Sequence, residues 1–596
     1  MNDRLAQRVS NELLPYVRQP AQYIGGEVNQ LVEQGDWERA EVRLVIGFPD
    51  TYAIGMSHLG CQILYWIANH TPGVCAERVY SPWLDAEAEM RAKSIPLFTW
   101  DTRRPVASAD IFAVSLQYEL CFTNFLNFLD LAGIPVPSAE RTDEHPLVIV
   151  GGPQADNPEP LADFVDLVVL GDGEHAISGM LEAVKEYKRA GTPRREMIPL
   201  LARSFPWIYA PGLYEVTYRP DNTIAALTPT LSGLPTRIER CTTPDFETAP
   251  VPERPLVPWV QSVHDRIAIE LMRGCPNICR FCHAGYTKRP LRYRSVERIL
   301  DIAEKAYRAT GHHEIGLLSL STSDYPHLHE LAERLNERFA PVNVSLSFPS
   351  LRIDKMLQDI PWMNNNVRKG GLTIAVEAAD DELRRALRKK VSEGDLMDGV
   401  RAAYQAGWNR VKLYFMAGFP GETEKDIDGI FELSYAVSQE RRMLGQAPAS
   451  VTASIGWLVP KPFTPLQWAA QPTRDYFLDV RRRLMSLKHG RKSAVMIQTH
   501  RVETSILEGV ISRGDRRLGP VIYSAWKRGA RFDGWTEVYD DRHWQDAYAE
   551  CGIDPTWYAH RQRDFDEILP WDHIGVHTGR DFLERGYRDY LARMKL

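Results

Sequence analysis

The chain has 596 residues, 44% of them hydrophobic and 25% charged, with a net charge of −7. This is the make-up of a folded protein of about three or four structural units, and it excludes wholesale disorder. It also excludes a clamp that holds nucleic acid by blanket phosphate neutralisation, so any anionic partner has to be met by a local basic patch.

Residues 1–39 read as an N-terminal arm. Their opening, MNDRLAQRVSNELLPYVRQP, is charged throughout and has no continuous apolar stretch, so it does not read as a signal peptide. No run of about 18 apolar residues occurs anywhere; the expectation is a cytoplasmic protein without membrane contact. From 40 to 190 the strand-like runs AEVRLVIGF, ADIFAVSL, PLVIVGG and FVDLVVLGDGE alternate with the helical patterns HLGCQILYWIANH and CFTNFLNFLDLAG. This is an α/β pattern, and it predicts a doubly wound, Rossmann-like parallel sheet whose ligand lies at the strands' carboxyl ends. Those ends, GFPDTYAIG, SLQYE, GGPQAD and GDGE, are rich in Gly, Asp and Ser. Glycine there either admits a bulky ligand or simply turns the chain.

Residues 191–262 are rich in proline and read as a connecting segment draped over the surface. From 263 to 470 a second alternation begins. DRIAIELM, EIGLLSLS, VNVSLSF, GLTIAVEA, RVKLYFMAG and VTASIGWLV are strand candidates, and helical stretches such as SVERILDIAEKAYRAT lie between them. Six βα units predict an open, partial (β/α)6 barrel with its active face at the strand C-termini. Residues 471–596 are mostly helical, aromatic and charged, and are expected to form a separate C-terminal domain.

Five of the eight cysteines, Cys61, Cys75, Cys121, Cys241 and Cys551, show no paired spacing. They read as reduced, buried small hydrophobes. The other three, Cys275, Cys279 and Cys282, follow the pattern CxxxCxxC directly after the first barrel strand. A zinc site wants four ligands, no second pair follows at usual spacing, and His283 adjoins Cys282 too closely to serve the same ion easily. A disulfide would leave one thiol over. Three thiolates suit a 4Fe–4S cluster in which the fourth iron stays open to an exogenous ligand.

That spacing at that place, with Phe281 before the last cysteine, resembles the radical S-adenosylmethionine (SAM) superfamily. The resemblance implies that SAM chelates the open iron through its amino and carboxylate groups. An electron, supplied by a donor such as flavodoxin or ferredoxin, then cleaves the sulfonium to a 5′-deoxyadenosyl radical. Matched to the family pattern, Phe281, Ser321 and Ser323 in SLSTSDY, Glu377 in IAVEA, and Gly418 and Gly421 in GFPGET become SAM-binding candidates. Each has a structural alternative: an ion pair of Glu377 with Arg384 or Arg385, and a βα turn capped by Thr423 for the glycines. The segment LVPKPFTPLQW reads as a proline-stiffened lid or an ordinary loop.

A doubly wound domain ahead of such a barrel resembles the cobalamin-binding class of these enzymes, with Ser115, Gly151, Gly152 and Glu174 as the matching positions. The class's lower-ligand motif has an aspartate where GMSHLG has Met56, so His58 is expected to pack at a helix start rather than to ligate cobalt. Seven motifs in order, among them YIGGE, FPDTYAIGMSHLG, SRGDRRLG and LPWDHI, resemble one subfamily of cobalamin-domain radical SAM proteins. Members are often linked to a small radical-SAM-associated partner domain; here a separate partner protein is implied.

The implied reaction is hydrogen abstraction from an unactivated carbon of an unknown substrate, RNA, protein or metabolite, followed by cobalamin-dependent methylation or rearrangement. The rivals are a methylthiotransferase-like RNA or protein modification enzyme, whose second cluster would need Cys61, Cys75 and Cys121 despite their uneven spacing, and a non-catalytic iron–sulfur scaffold or electron relay. The basic runs Lys288–Arg294 and Arg513, Arg516, Arg517 either hold an anionic substrate or form solvated faces and ion pairs.

Overall fold

The computed structural model describes residues 2–348 and 371–596. Strands β1 (Val42–Phe48), β2 (Val74–Tyr80), β3 (Ile111–Ser115), β4 (Leu147–Gly151), β5 (Leu167–Val169) and β6 (Ile208–Tyr209) form one sheet in the order β2-β1-β3-β4-β5-β6. The first five run parallel, and β6 closes the edge antiparallel to β5. Strands are added outward on opposite sides of β1, so the loops leaving β1 and β3 diverge. A crevice opens between them, the switch point where such sheets take ligands.

Two strands of this sheet escaped the sequence reading. In β2 the central residues are Glu77 and Arg78, both buried. They are tolerated because partners surround them: Glu77 accepts hydrogen bonds from the Thr99 and Thr102 hydroxyls, and Arg78 pairs with Asp101 at 2.8 Å and Glu27 at 2.9 Å. In the second case, β6 and the helix Arg194–Ser204 bring part of residues 191–262 into the sheet domain. A hairpin, β7 (Tyr214–Tyr218) with β8 (Ile224–Pro229), follows. The proline-rich segment is therefore only partly a connection.

Next come β9 (Ile267–Glu270), a short antiparallel pair β10 (Met272–Arg273) and β11 (Arg292–Tyr293), then β12 (Glu314–Leu318), β13 (Ser345–Ser347), β14 (Leu372–Glu377), β15 (Arg410–Ala417), β16 (Ser450–Trp457) and β17 (Val495–Thr499). All six strand candidates are strands. Among the described residues they form two parallel sheets, β13-β12-β9 and β14-β15-β16-β17. The strand β17 lies past residue 470, so the barrel sheet continues beyond the boundary expected there. No helix among the described residues is long and apolar enough to cross a membrane.

The C-terminal region is not a separate domain. Trp526, Trp544, Trp571 and Tyr587 belong to the same hydrophobic core as the residues of β1 to β5. The cause lies in the helix Phe122–Ala132, which is buried at every position but Asp130. A helix with apolar residues on more than one face needs cover on the second, and partners there for its polar side chains. The helix Gly519–Lys527 and the loop after it supply this cover: Trp526 Nε1 donates to Asn127 Oδ1 at 3.3 Å, and Thr123 Oγ1 donates to Asp533 at 2.7 Å. The segment Leu458–Trp468 is likewise no free lid. It is largely buried, and its Lys461 pairs with Glu119 of the sheet domain and, at 2.7 Å, with Glu508.

Gly152 has φ +96°, and a Cβ there would stand 2.5 Å from the Leu116 carbonyl oxygen. Gly152→Ala is expected to cost about 1–3 kcal/mol, read as a lowered Tm. Gly212→Ala, whose Cβ meets nothing within 4 Å, is expected to stay within about 0.5 kcal/mol of the parent.

Candidate cluster and cofactor site

The cysteine loop is the excursion between β10 and β11, whose register sets Arg273 opposite Arg292. Its conformation is fixed from inside and outside. Arg289 donates through Nε to Gly285 O at 3.0 Å and through Nη2 to Cys275 O at 3.2 Å, and Tyr286 Oη donates to Ile278 O at 3.1 Å. Arg280, 1% exposed, ties the stretch between Cys279 and Cys282 to the Ala386 carbonyl and to Asp589 of the C-terminal helix Arg580–Met594. The Cys279 thiol contacts Arg388 O at 3.7 Å, and Asn277 Nδ2 reaches Cys275 Sγ at 3.7 Å and Asp324 Oδ2 at 3.0 Å.

All three thiols are free and partly exposed. Burial pushes Cys279 up to about 12, and Cys282 is also raised by burial; each is raised further by the charges of its fellow cysteines. Cys279 and Cys282, whose ionisation is disfavoured in this way, fit a site in which iron supplies the missing positive charge. Among the described residues no three His, Cys, Asp or Glu side chains are gathered around the position of a single ion.

The loops that border the cysteines carry the residues matched to SAM. Phe281 lies 6.1 Å, ring to ring, from Phe419 in GFPGET. Ser321 Oγ donates to Asp324 Oδ2 at 2.8 Å, and Ser323 is buried in the same turn. Glu377 sits at a break in the β14/β15 register with φ +74°, and both Cys279 and Cys282 feel its charge. Its ion-pair partner is Lys389 at 3.2 Å, not Arg384 or Arg385 as expected; Arg384 turns instead to Asp381 and to the Ala378 and Ala379 carbonyls. Gly418 and Gly421 have φ of +109° and +80°. Cβ atoms there would strike Phe477 and Pro472, and Leu596, so chain reversal against protein accounts for both glycines. Glu422 accepts hydrogen bonds from Gly418 N at 2.7 Å and Tyr476 Oη at 2.5 Å, and burial raises it to about 7.

Next to the cysteine loop lies a cavity of about 530 Å³. One wall is the carboxyl edge of the first sheet, with Ser115, Gly151, Gly152 and Glu174; Ser115 and Gly151 are paired across β3 and β4. The opposite wall includes His283, Ala284, Thr287 and Lys288 from the cysteine loop. His58 also faces the cavity. Its Nδ1 accepts from Cys61 N at 3.1 Å, capping the helix Leu59–Asn69, and burial, opposed by a hydrogen bond with Gln117, lowers it to about 4. The Glu174 carboxylate is not free: Arg273 donates to it at 2.6 and 3.0 Å.

Arg273 also pairs with Glu270 at 2.8 Å and with Asp172 at 3.3 Å, and Arg292 takes the other Asp172 oxygen. Burial opposes ionisation of Asp172, but the two arginines outweigh it and hold its carboxyl below the usual range. His283 pairs with Asp156 at 3.0 Å, and Asp156, also bound by Arg240, lies at about 2 despite its burial. These pairs join the sheet domain to the cysteine loop. Sequence reading missed them because Arg273 and Glu174 stand 99 positions apart. The basic run at Arg513, Arg516 and Arg517 is structural too: Arg513 is fully buried and donates to the carbonyls of Gln467, Ala469, Tyr558 and Arg561, Arg516 pairs with Glu159, and Arg517 with Asp515.

Arg273→Met leaves Glu174 and Glu270 without their cation and is expected to cost about 3–5 kcal/mol, measured by denaturant unfolding. The raised carboxyl of Glu422 keeps a proton that the unfolded chain releases above its ordinary value of 4.5. Stability from this group is therefore complete below pH 4.5 and declines as pH rises to 7. Glu422→Gln should flatten that decline in melts recorded from pH 4.5 to 7.5.

The family described as radical SAM proteins, N-terminal, matches residues 60–211, and the radical SAM superfamily matches residues 269–434. An uncharacterised protein of Methanocaldococcus jannaschii is 22% identical over 511 residues, 84% of this chain and 97% of that protein. The ribosomal protein uS12 methylthiotransferase RimO of Paramagnetospirillum magneticum is 25% identical over 190 residues, 28% of this chain and 40% of its own length. Among solved structures, the radical SAM methyltransferase TsrM of Kitasatospora setae, with cobalamin and a 4Fe–4S cluster bound, is similar with a TM-score of 0.48 and 13% identity over 86% of this chain and 98% of that one. The chain belongs to the radical SAM superfamily and is an enzyme of the kind that works with a 4Fe–4S cluster and S-adenosylmethionine.

Proposed function

We propose that this radical SAM enzyme holds a corrinoid in the cavity between its sheet domain and its cysteine loop, and that it methylates or rearranges an unactivated carbon. The observation that carries the reading is the shared cavity: the ligand edge of a doubly wound sheet and His283, Ala284, Thr287 and Lys288, which follow directly on Cys282, line the same space. Cys275, Cys279 and Cys282 would hold the cluster, which when bound would supply the electron that cleaves SAM, with a low-potential donor such as flavodoxin or ferredoxin as its source.

The chain's own residues supply position and seclusion. Ile46, Val114, Ile149, Val150, Ile177 and Met180 line the sheet side and exclude water. Ser115 is oriented by Gln117, whose Nε2 donates to its Oγ at 2.7 Å. His58 stays neutral, with Nδ1 engaged by Cys61 N–H, so its hydrogen sits on the other ring nitrogen and no lone pair remains for cobalt. A corrinoid here is expected without a histidine ligand. The methylthiotransferase alternative finds less support: Cys61 and Cys121 are buried, and burial pushes both up to about 12, which suits inert core thiols.

Anaerobic reconstitution with iron, sulfide and hydroxocobalamin is expected to give about four iron atoms per chain with retained corrinoid, and 5′-deoxyadenosine after reduction in the presence of SAM. Replacing Cys275, Cys279 and Cys282 together by alanine should abolish the cluster absorbance and the 5′-deoxyadenosine. A chain that cleaves SAM but retains no corrinoid overturns the cobalamin part alone; a mononuclear zinc ion in anaerobic protein overturns the cluster.

A further inference from the structure

The charged groups that border the interdomain cavity are, among the described residues, paired with one exception. Asp172, Glu174 and Glu270 share Arg273, and Asp172 has Arg292 as well. His283 has Asp156, and His58 is held neutral. Lys288 also lines the cavity, and among the described residues its ammonium has neither a hydrogen bond nor an ion pair. The acidic groups whose charge it feels, Asp156 and Asp172, are already committed to Arg240 and His283 and to Arg273 and Arg292. The other charges acting on it are the cations Arg240 and Arg273. A lysine withdrawn from water without a counter-ion is costly. It stands on the last turn of the cysteine loop, where Lys288 N donates to Ala284 O at 3.2 Å and holds the stem in place.

We propose that Lys288 is the counter-ion for an oxyanion, a phosphate or a carboxylate, carried by the molecule that occupies this cavity. Its four neighbouring charges are already balanced within the protein, so among the described residues lining the cavity the ammonium is the one cationic donor offered to a ligand. The oxyanion has two sources: the nucleotide phosphate of a corrinoid or an acidic group of the substrate. The inference uses the cavity described above but stands without a corrinoid.

Trace labelling of lysines in the full chain with an N-hydroxysuccinimide ester, read by peptide mass spectrometry, tests for the oxyanion site. Labelling of Lys288 should fall several-fold in inorganic phosphate or succinate relative to chloride at equal ionic strength, while exposed Lys492 is unaffected. Titration of hydroxocobalamin and of cobinamide, which lacks the nucleotide phosphate, into the parent, Lys288→Gln and Lys288→Arg distinguishes the sources. A loss of about tenfold in cobalamin affinity in Lys288→Gln, with cobinamide unchanged and partial recovery in Lys288→Arg, assigns the oxyanion to the corrinoid. Unchanged affinities for both corrinoids, with phosphate protection of Lys288 persisting in the corrinoid-loaded chain, assign it to the substrate. Identical labelling in all three salts together with unchanged corrinoid affinities overturns the proposal. Should no corrinoid bind the parent chain, the cobalamin reading falls and the labelling alone decides; it needs no variant, so a misfolded Lys288→Gln does not blunt it.

Discussion

The arrangement of this molecule depends on one guanidinium. Arg273 faces Asp172 and Glu174 from the first sheet and Glu270 from the barrel, and it stands two residues before Cys275. A planar, permanently charged fork can serve several carboxylates at fixed angles, which a lysine cannot. Its cross-strand neighbour Arg292 would repel it in an isolated hairpin. Asp172 sits between the two and turns that repulsion into a bridge. The distance from the sheet's ligand edge to Cys275 is thereby set by charge pairing, with His283 and Asp156 as a second anchor on the far side of the loop.

A second constraint comes from the end of the chain. The C-terminal tryptophans complete the core under β1 to β5, and Asp589 of the last helix holds Arg280 inside the cysteine loop. The same region therefore braces both walls of the cavity. Arg513 adds a brace of another kind, a buried cation satisfied by four carbonyl dipoles from the strap before it and the loops after it. Such a group has little tolerance for displacement, because no carboxylate would follow it if the strap moved.

How much of this was legible in the sequence depends on how local the determining forces are. Parallel strands buried on both faces leave near-continuous apolar runs, so β1, β3, β4 and β5 could be read directly; the first six barrel strands were legible from apolar or alternating runs set between helical stretches. The strand β2 could not, because Glu77 and Arg78 look exposed until Thr99, Thr102, Asp101 and Glu27 are folded around them. The strand β17 is a short strand within a mostly helical stretch, which hides it. The three cysteines stand out in the sequence because their spacing is local, and the structure keeps them on one loop between β10 and β11. Lys389 as the partner of Glu377 and Lys288 as an unmatched cation were not, since who lacks a partner is decided only when every neighbour has been placed.

The buried strap Leu458–Trp468 has a kinetic corollary. It is fastened to the sheet domain through Lys461 and Glu119 and roofed by the C-terminal core, so the two walls cannot part about a simple hinge. Exchange of whatever lies between them runs instead through the open side of the cavity. The occupant meets walls that stay in place, so its residence time is set by fit rather than by closure.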